Sequence, residues 1–254
     1  EYPTSDGDSR QGSRSLATNS YLPSLTSHKW NLGAVGDCLY AVLINPFMLQ
    51  LAQEGPDHFF IVGIDPGSTT MGVAALAVRI SDLELLRIDS FTIDANKPCG
   101  GKPYPSSLEE TYPARSVRML EISRRLANTF DYYTPLQIAC ETPFYNPRNP
   151  NAYGVLVEVV KTVENAVRDW NPWRPLYRIE STAAKKSVSP TDEDERKRLR
   201  LIKDSKERIK ETVRIFPPLQ FLDLSKMSEH EIDAVVVGYC QLLRLRNRDF
   251  TVSP

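Results

Sequence analysis

Four side chains of the kinds that hold divalent cations stand where apolar segments begin or end. Asp65 closes the run Phe59-Phe60-Ile61-Val62-Gly63-Ile64 and is followed by Pro66-Gly67-Ser68, after which Met71 to Val78 is apolar again. This pattern predicts a hairpin with one carboxylate where its first strand turns. Small turn residues let a phosphate or a metal-bound phosphodiester approach the backbone, and an acid ending a buried strand is held rigidly enough to ligate a cation. Alone, the pattern equally describes an ordinary hairpin whose Asp caps its own turn. Glu141 ends a second short apolar strand, Leu136 to Cys140, ahead of the loop Thr142 to Arg148. In sheets with helical crossovers, functional groups gather at such carboxyl ends. In Glu229-His230-Glu231-Ile232-Asp233 a polar cluster opens an apolar helical run, and the i, i+3 spacing puts His230 and Asp233 on one face. A surface histidine and a first-turn acid favoured by the helix dipole would read the same way. Three acids, each at the boundary of an apolar element, point together to a cation site.

The elements that must carry these groups have their own signals. Glu84 to Ile93 reads as a third strand, completing a meander, and Ala95 to Pro113, rich in Pro and Gly, as a long loop. Ala114 to Phe130 is an amphipathic helix with Val117, Leu120, Leu126 and Phe130 expected toward the sheet. Asn151 to Trp170 is a second helix, whose Val155, Val159, Val163 and Val167 form an apolar stripe suited to a core or to a dimer face. Leu176 to Ile179 is a short strand, Ser205 to Ile215 a helix stopped by Pro217 and Pro218, and Ser228 to Arg244 the last helix. Hairpins first and strand-helix-strand crossovers afterwards predict an α/β fold: a mixed sheet, antiparallel meander plus parallel strands, flanked by helices.

GIDPGSTTMG around Asp65, ACETPF around Glu141 and HEIDAVVVGY around Asp233 resemble the three acidic motifs of the RuvC-type Holliday junction resolvases, which have the RNase H fold. The likeness runs from about Phe59 to Leu245, in the family's order and roughly its spacing, with His230 where some members carry Asp. It implies an endonuclease that resolves four-way or branched DNA as a homodimer. Phe144 falls where the family carries an aromatic at the junction centre, and the loop residues Tyr145 and Arg148 are expected at the DNA with it. Ala184-Lys185-Lys186 resembles the family's lysine segment, and Ser205-Lys206-Glu207 its second lysine. Phosphodiester hydrolysis needs charge stabilised on both the attacking and the leaving oxygen, which two divalent cations about 4 Å apart supply. Mg²⁺ (or Mn²⁺), two per site, is therefore expected, with Asp65 bridging, Glu141 and Asp233 as ligands, and His230 as ligand or water-orienting group. Other readings stay open: a noncatalytic RNase H-fold protein, an RNA-directed or transposase-like relative, or an actin- or sugar-kinase-like ATP-binding protein, whose first phosphate loop GIDPGSTTMG also resembles.

Length and composition fit one nuclease domain over 58–254 preceded by an extension over 1–57. The chain has 254 residues, 41% hydrophobic and 25% charged, as soluble globular domains do. Residues 1 to about 29 are polar without a period and expected to be flexible; Cys38 to Ala52 is apolar but broken by Pro46. Neither this segment nor its flanks resemble a signal peptide, and early acids weaken a transit-peptide reading. No run of about eighteen apolar residues exists, so no membrane span is expected, and the expected place is the cytoplasm or nucleoid, with phage or organelle origin open. Cys38, Cys99, Cys140 and Cys240 are scattered without a CxxC pair, which speaks against a zinc site or disulfide framework. The net charge of −1 argues against coating DNA through general basicity. Cations crowd one stretch, Arg174 to Arg214, where Asp192 to Glu195 make a mixed-charge solvated helix the plainer account of Arg196 to Lys203.

Overall fold

The computed structural model describes residues 57–97, 112–145, 147–148 and 150–247. The long loop's 98–111, the N-terminal extension to 56, Cys38 and Cys99 lie outside them. Strands β1 (His58–Asp65), β2 (Thr70–Arg79) and β3 (Leu85–Asp94) form the predicted meander. Helix α1 (Ala114–Tyr133) leads to β4 (Gln137–Glu141), α2 (Pro150–Trp170) to β5 (Leu176–Ile179). Then come α3 (Ser181–Ser187), α4 (Glu193–Arg200), α5 (Ser205–Ile215) and the closing α6 (Glu229–Arg246). Strand order is β3-β2-β1-β4-β5. β1 pairs antiparallel with β2, β2 antiparallel with β3, while β1–β4 and β4–β5 are parallel. This mixed sheet with helices on both faces is the RNase H-like architecture.

Strand side chains alternate between faces, and the sheet is covered on both. Phe59, Ile61, Ala74, Leu76, Val78 and Ala139 pack with Ile232, Val235, Val236 and Tyr239 of α6. On the other face Val62, Ile64, Val73, Ala75, Ile138 and Cys140 meet Ile122, Leu126 and Phe130 of α1 and Val159, Val163 and Val167 of α2. Val159, Val163 and Val167 of the valine stripe are thus core, with Val155 only half-buried. Leu120 departs from expectation: it is 54% exposed. The buried seam of α1 runs through Met119, Ile122, Leu126 and Phe130, and Leu120 lies about 100° round the helix from Met119. Where sequence suggested a polar face, Glu121 is 1% exposed and held by Arg124 and Arg125 at 2.8 and 2.6 Å. Cys140 and Cys240 are buried free thiols.

α6 is apolar almost all round because nearly every face of it is covered: Ala234 to Leu242 are buried without a break. A capping box starts it, Ser228 Oγ accepting from the Glu231 amide and Glu231 accepting from the Ser228 amide. Inside, Gln241 donates to Gln137 at 2.8 Å, tying α6 to the start of β4. Among the described residues no helix is long and apolar enough to cross a membrane.

Candidate active site

Period two decides where the strand-end acids point. Asp65 shares a sheet face with Ile61 and Gly63, and Glu141 shares one with Ala139, so both project to the side covered by α6. The parallel register of β1 and β4 reaches Ile64 opposite Cys140, and one residue further on stand Asp65 and Glu141, neighbours at one end of the sheet. α6 comes down on this same end. A methyl group on Gly63 would overlap Ala234 O and lie 2.5 Å from the Gly238 amide nitrogen. One on Gly72, the partner of Asp65 across the hairpin, would overlap His230 O. Glycine at these two positions lets helix backbone rest directly on strand backbone, which carries the first turn of α6 to the carboxylates.

His230 Nδ1 lies 2.7 Å from Asp65 Oδ2. This hydrogen bond, ahead of an opposing burial effect, raises the His230 pKa and so favours an imidazolium that donates to Asp65. Burial, and next the charge of Asp65, push Glu141 up to about 7. The same two causes in the same order push Asp233 up to about 6. Lys185 opposes both shifts, Ser181 opposes the first by hydrogen bonding to Glu141, and His230 opposes the second. The site therefore carries more negative charge than its surroundings compensate.

That excess, on oxygen donors held by two strands and a helix, fits Mg²⁺. Against it, among the described residues no group of three or more His, Cys, Asp or Glu side chains is placed so as to hold a metal ion. The charge of Asp65 nonetheless raises both Glu141 and Asp233, and that of Asp233 raises Glu141, so the carboxylates stand near enough to act on one another, and ligand spacing changes with side-chain rotation alone.

The expected DNA-facing residues surround this pole unevenly. Phe144, three residues past Glu141, is 74% exposed. Tyr145 is exposed too but leans edge-on against Tyr153 of α2, ring centres 5.3 Å apart. Arg148 is exposed in the same loop. Lys185 and Lys186 are exposed on α3; only the charge of Lys185 acts on both Glu141 and Asp233. Lys206, in the first turn of α5, is paired with Glu229 at 2.6 Å. The run Arg196 to Lys203 is largely the mixed-charge helix expected, with Arg196–Glu193 and Lys197–Asp194 pairs. Two residues went unremarked in sequence. Ser181 reaches Glu141 only because β5 pairs in parallel with β4, Ile179 opposite Glu141, which no local pattern signals. Glu229 stands beside His230 in sequence, yet its partner Lys206 is 23 residues away.

No protein-family profile and no curated protein sequence matches this chain. Among solved structures, Thermus thermophilus RuvC in complex with Holliday junction substrate is 20% identical, covers 78% of this chain and 99% of its own, and superposes with a TM-score of 0.49. The yeast mitochondrial Holliday junction resolvase Ydc2 is 11% identical over 85% of this chain and 97% of its own, TM-score 0.44. The fowlpox virus resolvase, solved with Holliday junction DNA, is 12% identical over 74% and 99%, TM-score 0.38.

Proposed function

We propose that this protein is a metal-dependent endonuclease that resolves four-way or other branched DNA junctions as a homodimer. The observation that carries this reading is the meeting of Asp65, Glu141, Asp233 and His230 at one end of the sheet, with His230 and Asp65 in contact from 165 residues apart in sequence. The motif resemblance of these segments to RuvC-type resolvases supports the choice of substrate.

Asp65, Glu141 and Asp233 would hold two Mg²⁺ or Mn²⁺ ions, with His230 as a further ligand or as the group orienting water. Bound there, the ions supply charge stabilisation on the attacking and leaving oxygens. The protein's own side chains do the rest. Lys185, whose charge reaches Glu141 and Asp233, places a fixed cation beside the phosphate. The exposed ring of Phe144 offers a stacking platform to an unpaired base at a branch point. Tyr145, Arg148, Lys186 and Lys206 make the backbone contacts that position the strand. A junction presents two symmetric strands, which a two-fold dimer meets with two sites.

The deciding experiment incubates the protein with labelled four-way junctions with Mg²⁺ and with chelator. Paired incisions near the branch that require the cation are expected. Intact junctions under both Mg²⁺ and Mn²⁺, or equal cutting in chelator, would overturn the reading.

A further inference from the structure

The loop that leaves Glu141 is pinned on both sides of the residue it displays. At its start the Thr142 amide donates to Ile179 O at 2.8 Å, just past the point where the β4–β5 pairing ends with Glu141 opposite Ile179. Pro143 follows; proline fixes its own φ and holds the residue before it in an extended conformation. On the far side of Phe144, the Tyr145 ring meets the Tyr153 ring edge-on, centres 5.3 Å apart and planes at 90°. Tyr153 stands near the start of α2, a helix locked to the sheet through Val159, Val163 and Val167. Between these two points the Phe144 ring is 74% exposed, an apolar surface shown to solvent from a held backbone.

We infer that Tyr153 is a positioning residue: through Tyr145 it holds the Phe144 ring ready for a branch point, an inference that rests on the junction-nuclease reading above. A loose loop would have to be ordered by the DNA, and each backbone residue fixed at that moment subtracts from affinity. Tyr153 does this ordering beforehand, through an edge-to-face contact worth about threefold to tenfold in a local equilibrium. Its contribution acts through the ring it positions. It should therefore depend on Phe144, and it needs the ring of Tyr153 but not the hydroxyl.

The test compares Tyr153→Ala, Tyr153→Phe, Phe144→Ala and the double variant Tyr153→Ala/Phe144→Ala in the full chain. Without DNA, chymotrypsin cleavage after Phe144 and Tyr145 is timed under native conditions, with the cut sites located by mass spectrometry. Tyr153→Ala should be cut there about threefold to tenfold faster, while Tyr153→Phe keeps the wild-type rate. Junction affinity is then read by fluorescence anisotropy with Ca²⁺ in place of Mg²⁺. Tyr153→Ala should bind the junction more weakly by a similar factor, and Tyr153→Phe like wild type. In the Phe144→Ala background Tyr153→Ala should cost less than about twofold. Unchanged proteolysis or unchanged binding in Tyr153→Ala, or a loss in Tyr153→Phe, would overturn the inference. So would a full further loss in the Phe144→Ala background, which would mean that Tyr153 meets the DNA itself. Wild-type protein that binds no junction would instead sink the junction-nuclease reading, and the proteolysis rates would still report whether Tyr153 pins the loop.

Discussion

Replacing Asp65 by Asn removes the charge that acts on Glu141 and Asp233 and that holds the His230 imidazolium. An amide is no substitute for a bridging carboxylate, so cleavage is expected to fall by ~10³, about 4 kcal/mol of barrier, while circular dichroism stays that of the folded protein. Near-wild-type cutting would rule out the assignment of Asp65. The raised carboxyls also set the pH dependence of stability in chelator. Glu141 at about 7 and Asp233 at about 6 lie above their ordinary values of 4.5 and 3.8. The folded state then keeps protons that the unfolded chain has released, so their contribution is greatest below about pH 4 and declines as the pH rises toward 7. His230, also raised, contributes fully below its ordinary 6.5 and loses that contribution above its higher folded value, in the same direction. Calorimetry in EDTA should show the melting temperature falling from pH 5 to 8, with Glu141→Gln flattening the fall and Mg²⁺ recovering more stability at pH 8 than at pH 5. A wild-type profile no steeper than that of Glu141→Gln would contradict the buried-carboxylate account. Phe144→Ala, by losing a stacking platform, should weaken junction binding by about 1 to 3 kcal/mol; unchanged binding would leave the ring as loop surface.

Two glycines give the clearest contrast between elements. Gly63→Ala drives a methyl group into the α6 backbone at Ala234 and Gly238, where neither partner is a flexible side chain. Overpacking of this kind costs ~3 kcal/mol, and urea melts should show the loss together with lost cleavage as the helix lifts from Asp65. Gly154 of α2 faces open space, so Gly154→Ala should stabilise by about 1 kcal/mol through helix propensity. A stabilised Gly63→Ala would mean that α6 does not rest on β1. Much of this level is legible in the sequence: strand-end placement marks Asp65 and Glu141, and i, i+3 spacing puts His230 and Asp233 on one turn. What stayed hidden depends on pairing between distant segments. Nothing local shows that β4 lies beside β1, that Gly63 and Gly72 exist to admit α6, or that Lys206 answers to Glu229. Leu120 misled because its spacing from Val117 fits a helical face, while the sheet is met by the neighbouring seam through Met119.

At the scale of the whole molecule, a net charge of −1 means that, on the proposed reading, affinity for DNA would come from local features around the carboxylate pole and from a second copy of the chain. If paired incision needs two protomers, junction cleavage at low protein concentration should rise with its square, and sedimentation with junction should report two chains per DNA. First-order dependence with a single chain bound would argue for a monomer. The site itself joins the first strand to the last helix, and its nearest contact, His230 to Asp65, spans 165 residues. During synthesis this has a plain result. While a ribosome is still translating the stretch between them, Asp65 is only one acid on a nascent hairpin, and the cluster can first exist when α6 has left the exit tunnel. A premature stop upstream of Asp233, or a proteolytic cut between Asp65 and Asp233, therefore leaves no single fragment that carries the whole centre.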